Sequence, residues 1–250
     1  MILFFNPGHE TAVLNGSPFY TAPANVVSMQ QELSYLPAWY GNKGDVVFVQ
    51  GEPKKDTYYA TIKEQYPDLP LPLAIDNIKE CAGQELSLWG ISPQAIHYFK
   101  TLQQENDINL VIPKWSDSYI DLNSRKSAHN ILSELVKNIS QIDSSIIPRF
   151  CTSLDEIEAY LSASTDSLIA KAPYSSSGRG LLWFPDTGLT RTERQILHGI
   201  RKKRCSVSTG RVLNNQSCCA SEFICDVKRR VSFRGYSLFY TNAKSDYEAN

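Results

Sequence analysis

IAKAPYSSSGRGLL, residues 169–182, is the stretch that decides the fold and carries the strongest chemical signal. An apolar strand is predicted to end at Lys171, and a loop of three serines and two glycines follows it. Successive backbone N–H groups in such a loop form an anion-binding nest, serine hydroxyls add donors, and a neighbouring lysine adds positive charge. The pattern favours phosphate binding, and the same residues also fit an ordinary mobile loop with a solvated lysine.

This loop differs from two familiar phosphate-binding motifs. It is not a Walker A loop, because no Gly-Lys-Ser/Thr sequence closes it. Nor is it a GxGxxG sequence that opens a helix. The specificity of the signal therefore depends on the elements that surround the loop.

Helices and strands alternate on both sides of the loop. The clearest helix spans 123–137, with Asn123 or Ser124 as its cap and an apolar stripe at helical spacing. A second helix at 153–162 begins with a capping box formed by Ser153 and Glu156. Further predictions are strands at 146–150, 167–171 and 181–184, a helix at 190–204, and strands near 206–213, 217–225 and 230–240. This order predicts an α+β domain with an antiparallel sheet.

From about residue 120 to the end, the order of elements resembles the ATP-grasp superfamily. Segments within 1–49 (NPGHETA, YTAPANV, LPAWY and GDVVFV) are also similar to bacterial ATP-grasp-like proteins of uncharacterised function. The resemblance implies that ATP lies between two α+β subdomains. It also implies that the protein uses ATP and Mg²⁺ to activate a carboxylate as an acylphosphate, which an amine or thiol then attacks.

The resemblance assigns roles to residues that match the motifs. Lys171 would contact the α- and β-phosphates, and Lys126 would be the earlier phosphate-binding residue, with Arg125 as its adjacent rival. The loop that closes over the phosphates would be Ser175, Ser176, Ser177, Gly178, Arg179 and Gly180. Glu222 would lie near the adenine amino group, Phe223 and Ile224 would form the adenine hinge, and Asp226 would contact the ribose hydroxyls. Glu222 equally fits a strand carboxylate that faces solvent.

The first half of the chain predicts a different architecture. Strands at 1–5, 45–49 and 86–90 alternate with helices within 22–36 and from Ser92-Pro93 to about Leu102, which favours a small parallel sheet. The predicted fold is an α/β N-terminal domain followed by an incomplete ATP-grasp α+β domain. The domains are predicted at 1–120 and 121–250. His9 and Glu10 follow the first strand, where they fit a turn, a helix cap or a substrate contact.

Composition sets limits on partners and location. With 42% hydrophobic residues, 20% charged residues and a net charge of -1, we expect a packed core and no overall attraction to nucleic acid or membranes. The six cysteines show no CxxC pair, which favours reduced thiols in a cytoplasmic protein. The four histidines show no metal-binding spacing, so we predict no metal site from this sequence.

The end of the chain bears on catalysis. ATP-grasp enzymes take their magnesium ligands from late strands, and we expect this chain to stop before that site. Glu248 and Asn250 have suitable spacing but are terminal residues. The functions that remain open are an ATP-dependent carboxylate–amine ligase, a non-catalytic nucleotide-binding or regulatory module, and a polyanion-binding protein that uses the basic residues of 201–234.

Overall fold

The computed structural model describes residues 1–50, 57–174, 180–184, 188–204, 206–213, 218–226, 228–241 and 247–249. By its internal contacts, the chain divides into two compact units, Met1–Asn123 and Ser124–Asn250. No sheet is shared between the two units among the described residues, and each unit has its own hydrophobic core.

A parallel sheet forms the centre of the first unit. Its strands are β1 (Ile2–Phe4), β2 (Val46–Phe48), β3 (Leu71–Leu73) and β4 (Leu86–Leu88). Its α-helices are α1 (His9–Asn15), α2 (Ala24–Glu32), α3 (Thr57–Gln65), α4 (Pro93–Asn106) and α5 (Ser118–Leu122). The strand order is β3-β2-β1-β4, and each neighbouring pair is parallel. The predicted parallel α/β sheet is confirmed.

The core of the first unit explains why β1 and β2 are continuous apolar runs. A parallel strand is covered on both faces, so its residues need not alternate between apolar and polar. Phe4 and Phe48 pack against Phe99 of α4 with ring centroids 5.0 and 5.5 Å away. Leu3 and Val47 belong to a second buried cluster.

Several sequence predictions for this unit need correction. The segment after β1 was expected to be a turn, but α1 begins at His9. The N-cap residue of α2 is Pro23, and α4 continues to Asn106 rather than ending near Leu102. The sequences of α3 and β3 show no clear periodic spacing of apolar residues, so neither element was predicted.

A tight contact joins the ends of β1 and β4. The buried Asn6 side chain donates to the Gly90 carbonyl at 2.7 Å and accepts from the Gly90 amide at 3.0 Å. The ring of His9 lies directly over Gly90, so a Cβ atom at position 90 would be 2.0 Å from the ring. Glycine is therefore strongly favoured at position 90 while histidine occupies position 9.

The second unit contains two antiparallel sheets. Its helices are α6 (Arg125–Asn138), α7 (Leu154–Ala163) and α8 (Arg191–Arg204). Its strands are β5 (Arg149–Cys151), β6 (Leu168–Lys171), β7 (Leu181–Trp183), β8 (Val207–Arg211), β9 (Cys218–Cys225), β10 (Val231–Thr241) and β11 (Tyr247–Ala249). One sheet has the order β5-β8-β6-β7 and the other β11-β10-β9. The predicted α+β half with antiparallel pairing is confirmed.

Side-chain caps fix where two of these helices begin. Ser124 caps α6 by accepting from the Lys126 amide, so Ser124 and not Asn123 is the cap. At α7, Ser153 accepts from the Glu156 amide, as predicted. The Glu156 carboxylate returns to the amide of Thr152, one residue earlier than an ideal capping box requires.

Two apolar surfaces of the second unit remain exposed in the described chain. The predicted stripe on α6 is not buried, since Ile131 is 63% exposed and Leu135 is 43% exposed. On β10, Tyr236, Leu238 and Tyr240 are each more than 60% exposed. The helical spacing of these apolar residues therefore predicted the helix correctly, but it did not predict which of their side chains are exposed.

The contact between His9 and Gly90 gives a stability prediction. We expect Gly90→Ala to lower the free energy of unfolding by about 1–3 kcal/mol, because the new methyl group overpacks against the imidazole ring. Adding His9→Ala to that variant should recover part of the loss. The measurement is urea unfolding followed by circular dichroism.

The matched control is Gly199→Ala, because Gly199 lies within α8 and a Cβ there meets no atom within 4 Å. This change should leave stability equal or raise it by up to about 1 kcal/mol. A Gly90→Ala protein as stable as the wild type would contradict the packing described here.

Candidate functional site

The four-stranded sheet of the second unit has one core face and one open face. Side chains of a strand alternate between the two faces of a sheet. Leu168 and Ala170 of β6 pack into the core together with Val207 of β8. Ile169 and Lys171 therefore belong to the opposite face, where Lys171 is in register with Ser208.

A cavity of about 460 Å³ lies on this open face. The helix α6 contributes Arg125, Ala128, His129 and Leu132 to its wall. The strands and connecting segments contribute Ile146, Pro148, Ile169, Lys171, Leu181, Trp183, Ser208, Gly210, Arg211, Val212, Leu213, Cys218, Phe239 and Thr241. Its volume lies in the range of roughly 300–1,000 Å³ that is typical of small-molecule sites.

Lys171 is a half-buried cation in the wall of this cavity. Among the described residues, its ammonium has no hydrogen-bond or ion-pair partner. Burial lowers the pKa of Lys171, and the neighbouring charge of Arg125 lowers it further. Both effects disfavour the charged lysine, and a bound anion would offset both.

Arg125 is held beside Lys171 by two backbone contacts. Its Nε donates to the Ala172 carbonyl at 2.9 Å, and its amide donates to the Pro173 carbonyl at the same distance. These bonds join the first turn of α6 to the segment that directly follows Lys171. Two cations from distant parts of the sequence therefore line one cavity.

The solved structures that share this architecture are of longer chains. The biotin carboxylase of Campylobacter jejuni, solved as a beta-gamma-ATP complex, matches with a TM-score of 0.52 at 11% identity; the match covers 98% of this chain and 52% of that one. The fold is that of the ATP-grasp enzymes. N5-carboxyaminoimidazole synthetase from Staphylococcus aureus, complexed with ADP, matches with a TM-score of 0.45 at 11% identity over 98% of this chain and 56% of that one.

These matches concern the fold, and the chain spans about half the length of the solved proteins it matches. No model of a known protein family matches the sequence, and no curated protein matches it either. Within the described part of the chain, no helix has the length and apolar character needed to cross a lipid bilayer.

The structure separates the two candidates for the earlier basic residue of the ATP-grasp site. Lys126 is exposed and does not line the cavity, whereas Arg125 does. The reason is local, because Ser124 caps α6 and directs the first helical residue, Arg125, towards β6. The expectation that Lys171 lies within reach of Lys126 has no support in this geometry.

Of the other ATP-grasp assignments, the three on β9 fall outside the cavity wall. Glu222, Phe223 and Ile224 lie on β9, all three are exposed, and none lines the cavity. Gly180 closes the base of the loop, since its carbonyl accepts from the Ala172 amide at 2.9 Å and its φ is 70°. The loop residues Ser175, Ser176, Ser177, Gly178 and Arg179 lie outside the described residues.

Asp226 has a local structural role in the β9–β10 turn. Its carboxylate accepts from the amides of Lys228 and Arg230 at 2.8 and 2.9 Å. It also accepts from Nε of Arg230 at 2.7 Å. The bonds to Arg230 and Lys228 lower the pKa of Asp226. The carboxylate proposed for ribose is thus engaged within its own hairpin.

The described residues contain no group of three His, Cys, Asp or Glu side chains that could hold a metal ion. Asn250 lies outside the described residues, and of Glu248 only the backbone is described. The expectation that this chain stops before the magnesium ligands of an ATP-grasp site stays a prediction.

Part of the basic run has partners within the protein. Arg230 pairs with Asp226, and Arg201 donates to the Thr152 carbonyl at 3.5 Å. Arg211, also within 201–234, pairs with Asp166, and the nearby Arg194 pairs with Glu158. These contacts reduce the positive charge that the second unit offers to a polyanion.

The sequence analysis missed several residues of the cavity. His129 lies one helical turn after Arg125, and its ring meets the edge of Phe150 at a centroid distance of 5.2 Å. Trp183 lies opposite Ile169 in the β6–β7 register, and Ser208 lies opposite Lys171. The i, i+4 spacing and the strand alternation could have identified His129 and Trp183 once Arg125 and Lys171 had been chosen.

The two cations give a prediction that needs no ligand. We expect Arg125→Met to raise the pKa of Lys171, because it removes a nearby positive charge. The pKa should stay below the usual lysine value of about 10.4, since burial remains. The measurement is an NMR titration of protein with ¹³C-labelled lysine, with the Lys171 signal assigned through Lys171→Arg.

Lys126→Met is the matched control, because it removes a positive charge from the adjacent exposed position. It should leave the Lys171 titration unchanged. An equal shift in both variants would mean that Arg125 and Lys171 do not face one another.

Proposed function

We propose that this protein binds ATP in the cavity of its second unit and acts with a carboxylate and an amine, as an ATP-dependent ligase does. The observation that carries the proposal is the placement of Lys171 and Arg125 in the wall of one cavity. The ATP-grasp fold supports it. The proposal identifies the two substrates by chemical class, as a carboxylate and an amine.

Electrostatics selects a phosphate chain as the ligand. Two like charges in a partly desolvated cavity repel each other, and each loses part of its hydration. A bound triphosphate replaces this repulsion with two attractive interactions and supplies acceptors for the lysine and arginine donors. The cavity is therefore better suited to an anion than to a neutral ligand.

The remaining wall is suited to a nucleobase. Ile169, Trp183 and Phe239 contribute apolar or aromatic surface, and Ser208 contributes a hydroxyl beside Lys171. Apolar walls with a few polar groups are the usual composition of a cofactor site. We therefore assign the base to the apolar wall and the phosphates to the end with Lys171 and Arg125.

Magnesium enters the proposal through the phosphates rather than through a protein cage. Mg²⁺ commonly keeps several waters and is held by substrate phosphates with one or two carboxylates. The residues that line the cavity support the ATP-binding part of this proposed function. No catalytic step is assigned to any of its residues.

Calorimetry with ATP and Mg²⁺ tests the proposal directly. Lys171→Ala should weaken binding by about 1.5–3 kcal/mol, the range for a hydrogen bond to a charged group, which is roughly a 10- to 100-fold change in Kd. Arg125→Ala should cause a loss of similar size. Circular dichroism checks that each variant is folded.

Lys126→Ala and Glu222→Gln are the controls, since both residues are exposed and lie outside the cavity wall. A large loss in Lys126→Ala with none in Arg125→Ala would favour the original sequence assignment. Absence of ATP binding by the wild type at millimolar concentration would overturn the proposal.

The lowered pKa of Lys171 predicts a pH dependence. The charged lysine binds phosphate, so affinity should be complete below the Lys171 pKa and should fall as the pH rises through it. This loss should set in below the pH range in which an ordinary lysine titrates, because burial and Arg125 both lower the pKa of Lys171. In Lys171→Arg this component should disappear, because guanidinium stays charged. Identical pH profiles for the two proteins would contradict the assignment.

A further inference from the structure

The first unit contains a second cavity, of about 330 Å³, beside α4. Residues of two segments line it: Pro18, Phe19 and Tyr20 from the connection after α1, and Gln94, His97, Tyr98, Thr101, Leu102 and Glu105 from α4. The ATP proposal uses none of these residues, so the cavity needs a separate explanation.

One wall of this cavity is an exposed aromatic ring held in place by a turn. Phe19 is 77% exposed. Its amide donates to the Ser17 hydroxyl at 3.1 Å, and the Tyr20 amide donates to the Ser17 carbonyl at 3.2 Å. The Phe19 ring meets His97 edge to face at a centroid distance of 4.8 Å. A large apolar side chain is thus presented to solvent in a defined position.

Contacts with the core fix the floor of the cavity. The ring of Tyr98 stacks on Phe4 with centroids 6.2 Å apart and an interplanar angle of 13°. Tyr98 is also hydrogen-bonded to the side chain of Gln50, which accepts from Gln30 at 2.7 Å. These contacts hold the aromatic floor in one orientation before any ligand arrives.

The charge of the cavity is negative. Among the described residues that line it, Glu105 is the one with a carboxylate, and none is lysine or arginine. Glu105 lies two helical turns after Tyr98, on the same side of α4. Aromatic faces attract cations through their quadrupole, and a nearby carboxylate adds a full negative charge.

We propose that this cavity binds an organic cation, an ammonium or guanidinium group carried on an apolar or aromatic body. The four aromatic side chains receive the body and attract the charge, and Glu105 pairs with it. A free amine and a lysine or arginine side chain of a peptide share this chemistry. The proposal is independent of ATP binding, because the two cavities have no lining residue in common.

Saturation-transfer NMR and calorimetry at about pH 8, where imidazole groups in general carry little charge, test the proposal. The probe is phenethylammonium, and its neutral analogue is 2-phenylethanol. The wild type should bind the cation at least twofold more tightly than the alcohol, since an exposed cation–π contact supplies about a two- to fivefold gain. Equal binding of the two, or no binding of either, would overturn the proposal.

Two variants locate the site. Glu105→Gln should weaken phenethylammonium binding about two- to fivefold and leave 2-phenylethanol unchanged, and Phe19→Ala should weaken both. Glu64→Gln, which changes an exposed carboxylate on α3 outside the cavity, is the control and should change neither. Unchanged cation binding in Glu105→Gln would overturn the assignment. A Gly-Lys-Gly peptide that binds more tightly than phenethylammonium would indicate a polypeptide source for the cation.

Discussion

The proximity of two positive charges, Lys171 and Arg125, is the constraint on which the candidate site depends. The sheet register brings Lys171 to the open face, and the Ser124 cap with the Arg125–Ala172 bond brings the first turn of α6 to meet it. The two positive charges repel each other, so holding them close together lowers the stability of the folded protein. Such an arrangement is typical of a site that becomes favourable when an anion joins it.

The sequence was sufficient to predict most of the fold of the second unit. The helix caps, the apolar strands and the position of Lys171 at a strand end all follow from local residue patterns. The choice between Arg125 and Lys126 could not be made in this way. Both residues follow the cap, and only the three-dimensional path of α6 against β6 decides which of them reaches the cavity. The assignments of Glu222 and Asp226 rested on their positions in a motif, and such a position does not show which groups a side chain contacts.

The exposed face of β10 is a second feature that the residue pattern of the sequence does not predict. Tyr236, Leu238 and Tyr240 alternate with less exposed residues, as they would in a strand with one buried face. Within the described chain, these three side chains lie on the exposed face of the strand, whereas Phe239 lies on the other face and lines the cavity. A period of two predicts a strand with two different faces, and it does not say which face the rest of the protein covers.

The contact between His9 and Gly90 has a consequence for how this fold can change over evolutionary time. A side chain at position 90 would collide with the ring at position 9, so position 90 tolerates a larger residue better once position 9 has lost that ring. The two positions are therefore historically linked, although they lie 81 positions apart in the sequence. In related proteins a non-glycine residue at the second position should accompany the loss of histidine at the first, and intermediates that carry both side chains should be rare.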